Sequence, residues 1–511
     1  MMRKLILLIS MFGLSSTALS AEMVAKSEGN VEPANTAQQM NYHFGVATHF
    51  VRKMRSMAHW DPEKYIPVIA AMNVGWIRDE IMWDKVEKEK GVYSIPKEDL
   101  EWINIANKYG IKIIITFNGN NPNIYSDNQF PPDAYSNAIA YVAQQLQGKI
   151  DAIEVLNEPF NWYANSFAQG TRNAGTIYGT AKDGTIESWM RNYVQLLNES
   201  ADKIKATTKG IKVIGLGGFP AMNWRMIRYG LSKNVDGITL HPYSYATTPE
   251  IMPYPDSKAS FKKNGNTFIS DKDGSFSALI NRMLNFSIEN GGPKSIWLTE
   301  WGWTTKKNFP ISRGNFVGVS EDEQAVYIQR RFMESLGVGI KTSIVYSFMD
   351  DKNDTGIASQ VNSEDNFGLL RSDGTPKPSY YAVQRLASLS VNLIPANDVS
   401  YIIQQESARP DDSPAKAFDG TLLYAPDRVI SYQFKNENSN TRYIAAWSME
   451  KYSQKPPRLS NLTLPMSVKG IAVTNMLTGT KVEYNTTTVG SHKVVHNLPI
   501  PVNPVLIELQ E

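Results

Sequence analysis

"IEVLNEPFNW", residues 153–162, ends a run of apolar residues with Asn-Glu-Pro and then adds two aromatic side chains within four positions. The apolar half is typical of a buried β-strand, and the polar half is typical of a loop that follows such a strand. A single carboxylate in a loop is common. Glu158 therefore indicates a functional site only if the fold delivers a second carboxylate to the same place.

Seven other β-like runs lie on either side of this one. The eight predicted strands cover residues 42–48, 74–83, 111–117, 151–159, 211–218, 235–243, 295–303 and 342–348. Amphipathic stretches separate them, such as residues 97–110 and 187–210, and the second of these ends in Gly as helices often do. Eight strands alternating with helices over about 300 residues predict a (β/α)8 TIM barrel of the α/β class. A doubly wound open sheet is the alternative, but no glycine-rich phosphate loop follows the first strand.

The C-terminal part of the chain has a different sequence pattern. We expect the barrel, residues 41–392, to close with a helix near "KPSYYAVQRLASL" (377–389). From residue 398 onward, short β-like runs are divided by turn residues and show no helical period. This pattern predicts a small antiparallel β-sandwich over residues 398–511.

The N-terminus predicts export. Residues 1–21 have a short basic start, an apolar stretch and small residues at their end, which is the layout of a secretory signal peptide. A buried N-terminal helix is the other interpretation. The apolar stretch is too short to cross a bilayer, so we expect no membrane span in the mature chain. Residues 22–40 are polar and predict a linker, and the expected location is the periplasm or beyond.

Composition narrows the function classes. The chain has 52 Lys and Arg against 50 Asp and Glu, so its charge of +2 favours neither nucleic acid nor an anionic membrane as a partner. It has no cysteine, which excludes disulfides, thiolate metal sites and a cysteine nucleophile. Its 11 Trp and 24 Tyr suit sugar binding, although a large core also uses them.

In a TIM barrel, the chemistry lies at the C-terminal ends of the strands. The fourth strand ends with Glu158 and the seventh with Glu300, while the sixth ends with His241 and Tyr243 and the second carries Arg78. Two carboxylates that converge on one cleft beside aromatic and imidazole side chains form the apparatus of glycoside hydrolysis. The opening segment thus has its second carboxylate.

These motifs carry a resemblance to a known group of enzymes. "IEVLNEPFN" and "IWLTEWGW" resemble the acid/base and nucleophile motifs of the retaining (β/α)8 glycosidases of clan A, and "FGLLRSDGTPKPSYYAVQRL" (367–386) resembles the run that follows their eighth strand. The C-terminal β domain is similar to that of the family 39 type, which includes xylosidases, iduronidases and bacterial exopolysaccharide hydrolases. The resemblance covers residues 42–390 and, less specifically, the sandwich.

The resemblance implies a role for each strand-end residue. It implies that Glu300 is the nucleophile and that Glu158, which has to hold a proton at rest, is the acid/base. Arg78 and the Tyr243 hydroxyl would stabilise the charge on Glu300. Asn157 matches the position that binds the sugar 2-hydroxyl.

Several of these residues have a second interpretation. Arg78 is also placed to pair with Glu154, which has the same strand parity as Glu158 and should point into the barrel. The two interpretations are compatible. Tyr243 also fits a purely structural role, and His241 fits a hydrogen-bonded wall residue better than a catalytic base.

The aromatic residues near the strand ends divide into two groups. We expect Trp162 and Trp303 to be sugar-stacking surfaces, because each closely follows a catalytic glutamate. His49, just after the first strand, either lines the sugar pocket or caps a loop. Three other tryptophans are expected in the core: Trp60, Trp76 and Trp102.

We expect neither a metal ion nor another cofactor. "DDKND" (350–354) is acidic, but it lacks the spacing and the central Gly of a calcium loop and is better explained as a surface turn. No Gly-x-Ser-x-Gly nucleophile elbow suggests Ser/His/Asp catalysis.

The sequence therefore predicts an exported retaining glycoside hydrolase that cleaves internal β-linkages of a bacterial extracellular or capsular polysaccharide. An exo-acting β-xylosidase-like enzyme and a non-catalytic polysaccharide-binding or assembly protein remain alternatives. Transglycosylation also remains open, because it shares the glycosyl-enzyme intermediate. Gly-, Asn- and Ser-rich loops at 161–184 and 244–275 would shape either an open cleft or a closed pocket.

Overall fold

The computed structural model describes residues 39–51, 60–126, 129–163, 186–218, 220–244, 247–252, 254–263, 266–306, 318–351, 363–404, 415–416, 422–423, 428–453 and 455–511. The predicted signal peptide and almost all of the predicted linker lie outside these residues. None of the helices in the described parts of the chain combines the length and the apolar character that a bilayer span requires.

Eight parallel strands form a closed barrel. They are β1 (Asn41–Ala47), β2 (Val74–Met82), β3 (Lys112–Asn118), β4 (Ala152–Val155), β5 (Lys212–Gly218), β6 (Gly237–Leu240), β7 (Ile296–Leu298) and β8 (Thr342–Val345). Strand β1 pairs with β2 on one side and with β8 on the other, for example through Val46, which lies opposite both Ile77 and Val345. The predicted TIM barrel is confirmed, and the open-sheet alternative is wrong because the sheet has no edge.

Helices surround this barrel. They are α1 (Pro62–Ala71), α2 (Trp83–Val86), α3 (Lys97–Lys108), α4 (Pro132–Gln145), α5 (Pro159–Tyr163), α6 (Ser188–Thr207), α7 (Pro220–Tyr229), α8 (Lys258–Lys263), α9 (Phe276–Glu289), α10 (Glu321–Gly337) and α11 (Pro378–Leu389). Local sequence explains where α10 begins: the Ser320 hydroxyl accepts a hydrogen bond from the Glu323 N–H, and acidic residues 321–323 lie at the positive end of the helix dipole.

The barrel interior is filled in layers. An apolar cluster inside the barrel consists of Ala47, Trp76, Ile114, Ala152, Ile214, Trp297 and Ile344. Arg78 and Glu154 lie two residues further along their strands than Trp76 and Ala152, so the strand period of two also turns them inward. The layer above the apolar floor is therefore polar, and it lies beneath the face formed by the C-terminal ends of the strands.

The C-terminal domain contains two large antiparallel sheets, besides a two-stranded one that pairs Ala415–Lys416 with Leu422–Leu423. Its strands are β9 (Leu393–Pro395), β10 (Ile402–Ile403), β11 (Val429–Asn436), β12 (Arg442–Ser448), β13 (Arg458–Leu464), β14 (Gly470–Asn475), β15 (Lys481–Asn485), β16 (Thr487–Val489), β17 (His492–Ile500) and β18 (Val505–Gln510). The orders are β9-β11-β12-β18-β14-β15 and β10-β13-β17-β16. This architecture confirms the predicted β-sandwich, and its first strand begins at Leu393, ahead of the predicted start at 398.

The larger sheet packs on both of its faces. Along β12, Ile444 and Ala446 belong to the core of the sandwich, whereas Ala445 and Trp447 belong to the core shared with the barrel. At the end of α10, a side chain on Gly337 would overlap the ring of Tyr432, so the sandwich packs directly on that helix. The two domains therefore share a continuous apolar interface.

Two local predictions can be compared with the burial of the residues concerned. Trp60, Trp76 and Trp102 are buried, as predicted. In the stretch predicted as a surface turn, Asp350 is instead buried, because its carboxylate accepts hydrogen bonds from the Lys377 ammonium at 2.8 Å and the Gly368 N–H at 2.7 Å. Residues 352–354 of that stretch lie outside the described residues.

Candidate active site

Glu158 is held in an uncommon backbone conformation at the end of β4. Leu156 and Glu158 have φ values of 61° and 43°, which non-glycine residues adopt at a cost of about 1–2 kcal/mol. The Asn157 N–H donates to the Asn118 carboxamide oxygen at 3.2 Å, and helix α5 begins directly after Glu158. The chain is thus turned sharply where the predicted acid/base leaves the strand.

Glu158 and Glu300 lie side by side. One carboxylate oxygen of each, together with His241 Nδ1, lies within 4.8 Å of the other two atoms. Retaining glycosidases hold their carboxyl groups about 5–5.5 Å apart, whereas inverting enzymes leave about 6.5–9.5 Å for a water molecule. The separation fits direct attack by one carboxylate.

Glu300 is the more buried carboxylate, with 13% of its side chain exposed. The Tyr243 hydroxyl donates to Oε1 at 2.7 Å, and Arg78 Nη1 donates to Oε2 at 3.3 Å. Burial and the nearby charge of Glu158 raise the pKa of Glu300, and the positive charges of His241 and Arg78 and the Tyr243 hydrogen bond only partly offset this rise. These three neighbours are the groups that favour the anion of Glu300 against its burial.

Arg78 is bound to three side chains at once. Its Nε donates to Glu154 at 2.8 Å, its Nη2 donates to the Asn157 carboxamide oxygen at 2.8 Å, and its Nη1 contacts Glu300. Both interpretations of this residue are therefore present in the structure. Burial acts to raise the pKa of Glu154, but the charges of Arg78 and His241 outweigh it, so the pKa is lowered and Glu154 remains an anion.

Glu158 has different partners. His241 Nδ1 lies 2.9 Å from Oε1, and the Asn161 carboxamide nitrogen donates to Oε2 at 2.5 Å. The side chain is 28% exposed. Glu158 is thus the carboxylate that a leaving group can reach more easily.

The hydrogen bonds around His241 define where a proton is held. Glu154 is an acceptor only, so the Thr299 hydroxyl spends its single hydrogen on Glu154 at 2.9 Å. The Thr299 oxygen must then accept from His241 Nε2, 3.1 Å away, and this nitrogen always carries hydrogen. The contact between His241 Nδ1 and Glu158 therefore contains one shared proton.

The charge of His241 follows from the same surroundings. Burial acts to lower the pKa of His241, but the negative charge of Glu300 and the hydrogen bond that the imidazolium donates to Glu158 outweigh it, and the pKa is raised. The imidazole is therefore a reservoir that keeps a proton beside Glu158.

The structure places the remaining predicted site residues as follows. His49 is buried at the end of β1, where its Nε2 lies 3.3 Å from the Tyr346 hydroxyl after β8. Trp162 is partly buried on α5 and packs edge-on against Phe130. Trp303 is only 2% exposed, so its prediction as a sugar-stacking surface is wrong: stacking requires an accessible ring face, and this ring packs against Trp301 and Tyr327.

Two residues of the site were missed by sequence reasoning. Asn161 lies three positions after Glu158, a spacing that meets on one side of a helix, so a helix predicted to begin at Pro159 would have suggested the contact. Thr299 directly precedes Glu300, but nothing in its sequence context signals a link between Glu154 and His241.

A cavity opens beside Glu158. It has a volume of about 290 Å³, which includes space open to solvent. Its lining consists of Glu158, Phe160, Asn161, Gly218, Met222, His241 and Tyr243. Phe160 and Met222 give it an apolar wall next to polar groups, a combination that suits the two kinds of surface on a sugar ring.

The same residues have the donor types of a metal site. Glu158, His241 and Glu300 could ligate one ion by the distances between their donor atoms. The guanidinium of Arg78 on Glu300 opposes a second cation at this position. The expectation of a metal-free site stays a prediction.

Comparison with known structures agrees with the architecture. The chain is similar to a family 39 glycoside hydrolase from the gut symbiont Bacteroides cellulosilyticus WH2, with a TM-score of 0.62 and 21% identity over 94% of this chain and 82% of that one. A glucosidase from Croceicoccus marinus matches with a TM-score of 0.49 and 11% identity, over 94% of this chain and 97% of that one. No protein-family model matches the sequence, and no curated protein matches it either. The first of these likenesses shows a shared fold, and the assignment of an activity depends on the site itself.

Proposed function

We propose that this protein is a retaining glycoside hydrolase in which Glu300 is the nucleophile and Glu158 is the acid/base. One observation carries the proposal. Two carboxylates at the ends of β4 and β7 come within 4.8 Å, and their neighbours suit opposite roles. Arg78 and Tyr243 favour an anion at Glu300, and His241 keeps a proton beside Glu158.

In the first step, a carboxylate oxygen of Glu300 attacks the anomeric carbon and the glycosidic C–O bond breaks. The departing oxygen takes the proton that Glu158 holds, and the first sugar portion remains as an ester of Glu300. Asn161 and His241 orient the Glu158 carboxyl group during this transfer. Asn157 uses its oxygen for Arg78, which leaves its NH₂ group as the donor for the sugar 2-hydroxyl.

In the second step, water attacks the same anomeric carbon. Glu158, now without its proton, accepts a proton from the water as the ester bond to Glu300 breaks. Glu300 returns as an anion, and the product keeps the configuration of the substrate. An acceptor sugar in place of water would give transglycosylation by the same chemistry.

We propose a bacterial extracellular or capsular polysaccharide as the substrate, cleaved at internal β-linkages by an exported enzyme. The signal-like N-terminus and the sequence resemblance to exopolysaccharide hydrolases of the family 39 type support this assignment. The similar solved structure is itself a family 39 glycoside hydrolase.

The test uses the purified protein on a panel of bacterial and plant polysaccharides. Reducing ends, product length and the anomeric configuration of the first product, followed by NMR, are measured for the wild type and for Glu300→Gln and Glu158→Gln. Glu289→Gln, an exposed position at the end of α9, is the matched control. We expect the wild type to release long products of retained configuration. Both site variants should lose this activity, and the control should keep it.

The other outcomes separate the alternatives. Release of monosaccharides alone would contradict internal cleavage and favour an exo-acting, β-xylosidase-like enzyme. A first product of inverted anomeric configuration would contradict the role of Glu300 as the nucleophile. Tight binding to one polymer without any cleavage would overturn the enzymatic proposal and favour a binding or assembly protein.

A further inference from the structure

A second buried charge network joins the barrel to the β-sandwich. It is centred on Arg330 and Arg331, adjacent residues of α10 that are both 0% exposed. Burying a guanidinium is unfavourable unless hydrogen-bond acceptors surround it, and its planar fork fixes the positions of those acceptors. The partners of the two residues therefore show which parts of the molecule they hold in place.

Arg330 binds the sandwich and the loop after β6 together. Its Nε and Nη2 donate to the two carboxylate oxygens of Glu250 at 2.7 and 2.5 Å. Its Nη1 and Nη2 donate to the backbone oxygens of Glu450 and Met449 at 2.8 and 2.9 Å. Trp447, on strand β12 of the sandwich, also donates to Glu250 at 2.7 Å. Glu250 thus ties the loop after β6 to the sandwich.

Arg331 binds the same loop nearer to the active site. Its Nη1 donates to the Pro242 carbonyl at 3.0 Å, and its Nη2 donates to the Ser244 hydroxyl at 2.7 Å. Pro242 and Ser244 are the two chain neighbours of Tyr243, whose hydroxyl donates to Glu300 at 2.7 Å. Both flanks of this tyrosine are therefore held by a side chain on α10.

We infer that the β-sandwich is a positioning element of the active site, which acts through Trp447, Glu250 and the Arg330–Arg331 pair to hold the Tyr243 hydroxyl on Glu300. The inference rests on the proposed function of Glu300 as nucleophile. It assigns no catalytic contact to the sandwich. Trp447 acts through Glu250, and Arg331 acts through Tyr243.

An interface that only stabilises the fold would not require this arrangement. Buried ion pairs are often replaceable by apolar residues without loss of stability, so their use here favours a geometric role. Two side chains of α10, Arg330 and Arg331, bind the loop after β6 in the described part of the chain. Trp447 of the sandwich donates to Glu250, the residue of this loop that Arg330 binds. A shift of Glu250 would be transmitted to Tyr243 because both belong to this loop.

Trp447→Phe tests the inference. It keeps an aromatic ring in place and removes the hydrogen bond to Glu250. We expect kcat to fall about fivefold with little change in KM, because the lost hydrogen bond is to a buried charged group and only part of its effect reaches the site. Tyr327→Phe is the matched control: it removes another hydrogen bond between α10 and the sandwich, from the Tyr452 N–H, that does not involve Glu250. We expect its kcat to stay within twofold.

A double-variant cycle distinguishes positioning from general destabilisation. If the sandwich acts through Tyr243, Trp447→Phe should have no further effect on kcat in a Tyr243→Phe background. If the factors by which the two substitutions lower kcat multiply in the double variant, the inference is overturned. An equal loss in the Tyr327→Phe control would overturn it too, because any weakened interface would then suffice.

A second readout does not depend on hydrolysis. In protein labelled with δ-¹³C-glutamate, the Glu300 carboxyl signal is assigned by its absence in Glu300→Gln and titrated by NMR. The Tyr243 hydrogen bond lowers the pKa of Glu300, so we expect Trp447→Phe to move this titration to higher pH and the control to leave it unchanged. A shift without any glycoside hydrolysis would support positioning and contradict the proposed function. Hydrolysis without a shift of the Glu300 titration would support the proposed function and contradict positioning by the sandwich.

Discussion

Glu300 and Glu158 are the same residue type on the same face of the barrel, and their surroundings differ. Glu300 is 13% exposed and lies against a guanidinium and a phenol. Glu158 is 28% exposed and lies against an imidazole and a carboxamide. A guanidinium keeps its charge at every relevant pH, whereas an imidazole can gain or lose a proton. Burial raises the pKa of Glu300, and the guanidinium and the phenol oppose that rise, whereas the imidazole places an exchangeable proton beside Glu158.

The backbone of the two residues differs as well. Glu300 follows the regular strand β7, but Glu158 is one of two residues with positive φ in a turn after β4, and helix α5 begins at the next residue. This turn brings Glu158 onto Asn161 while leaving the strand below it to present Glu154. Each strand end thus places a different set of partners beside its carboxylate.

Glu300→Gln should have the largest effect. It removes the nucleophile, so we expect kcat to fall by about 10⁵-fold for every substrate, whatever its leaving group. The measurement is kcat on an aryl glycoside and on the polysaccharide. Residual activity within about 100-fold of the wild type would show that the anion at this position is not the nucleophile.

Glu158→Gln should have a smaller effect that depends on the substrate. Loss of general acid catalysis lowers the rate by about 10³-fold for a sugar leaving group, but much less for an activated phenol that needs no proton. Added azide, which needs no general base, should then trap the glycosyl-enzyme as a glycosyl azide of retained configuration. Equal losses for both kinds of leaving group would contradict the difference between the two carboxylates.

Arg78→Lys should affect activity and stability together. A lysine keeps the charge but cannot donate in fixed directions to Glu154, Asn157 and Glu300 at once. We expect kcat/KM to fall about 100-fold and the free energy of unfolding to fall by about 2 kcal/mol. Kinetics and urea unfolding measure these effects. Lys377→Arg, at a buried ion pair outside the site, is a control for changes of cation type.

Tyr243→Phe should move the acid limb of the pH profile. The nucleophile acts as an anion, so kcat/KM is lost as the pH falls through the pKa of Glu300. Burial raises that pKa and the Tyr243 hydrogen bond lowers it, so removal of the hydroxyl should shift the acid limb to higher pH. At the optimum we expect a loss of about tenfold. An unchanged acid limb would contradict the contribution of Tyr243 to Glu300.

Asn161→Ala should have the smallest effect. It removes the hydrogen bond to Glu158 Oε2 and leaves the contact with His241. We expect kcat to fall about fivefold for sugar leaving groups, because one neutral hydrogen bond is worth about 1 kcal/mol. An activated aryl glycoside should react at nearly the wild-type rate. A loss that is equal for both would place Asn161 in substrate binding instead of in the orientation of the acid.

Much of the architecture can be predicted from local patterns. The eight runs of β-like residues correspond to the eight barrel strands, since a strand buried on both faces is apolar along its whole length and a helix is apolar along one stripe. The β-sandwich is predicted by short β-like runs that are separated by turn residues. The pairing of Glu158 with Glu300 follows from the fold, because all parallel strands of a barrel end on one face.

Burial and side-chain direction are less accessible to such patterns. Trp303 follows Glu300 as closely as Trp162 follows Glu158, yet it is 2% exposed. An aromatic residue after a strand can turn toward the cleft or toward the helices around it. Helix α10 supplies Tyr327 as a packing partner for Trp303, and this choice depends on a helix that lies further along the chain.

The amino-acid sequence by itself determined the fold class, the two domains and the two carboxylates. Only the tertiary structure decided what each carboxylate touches. Arg78 contacts Glu300 across 222 positions of sequence, and Thr299 reaches Glu154 across 145. Such contacts depend on strand register and barrel closure, to which distant strands contribute jointly. Local propensity specifies each strand separately. The hydrogen bond between His241 and Glu158 therefore forms only when all eight strands are assembled into the barrel.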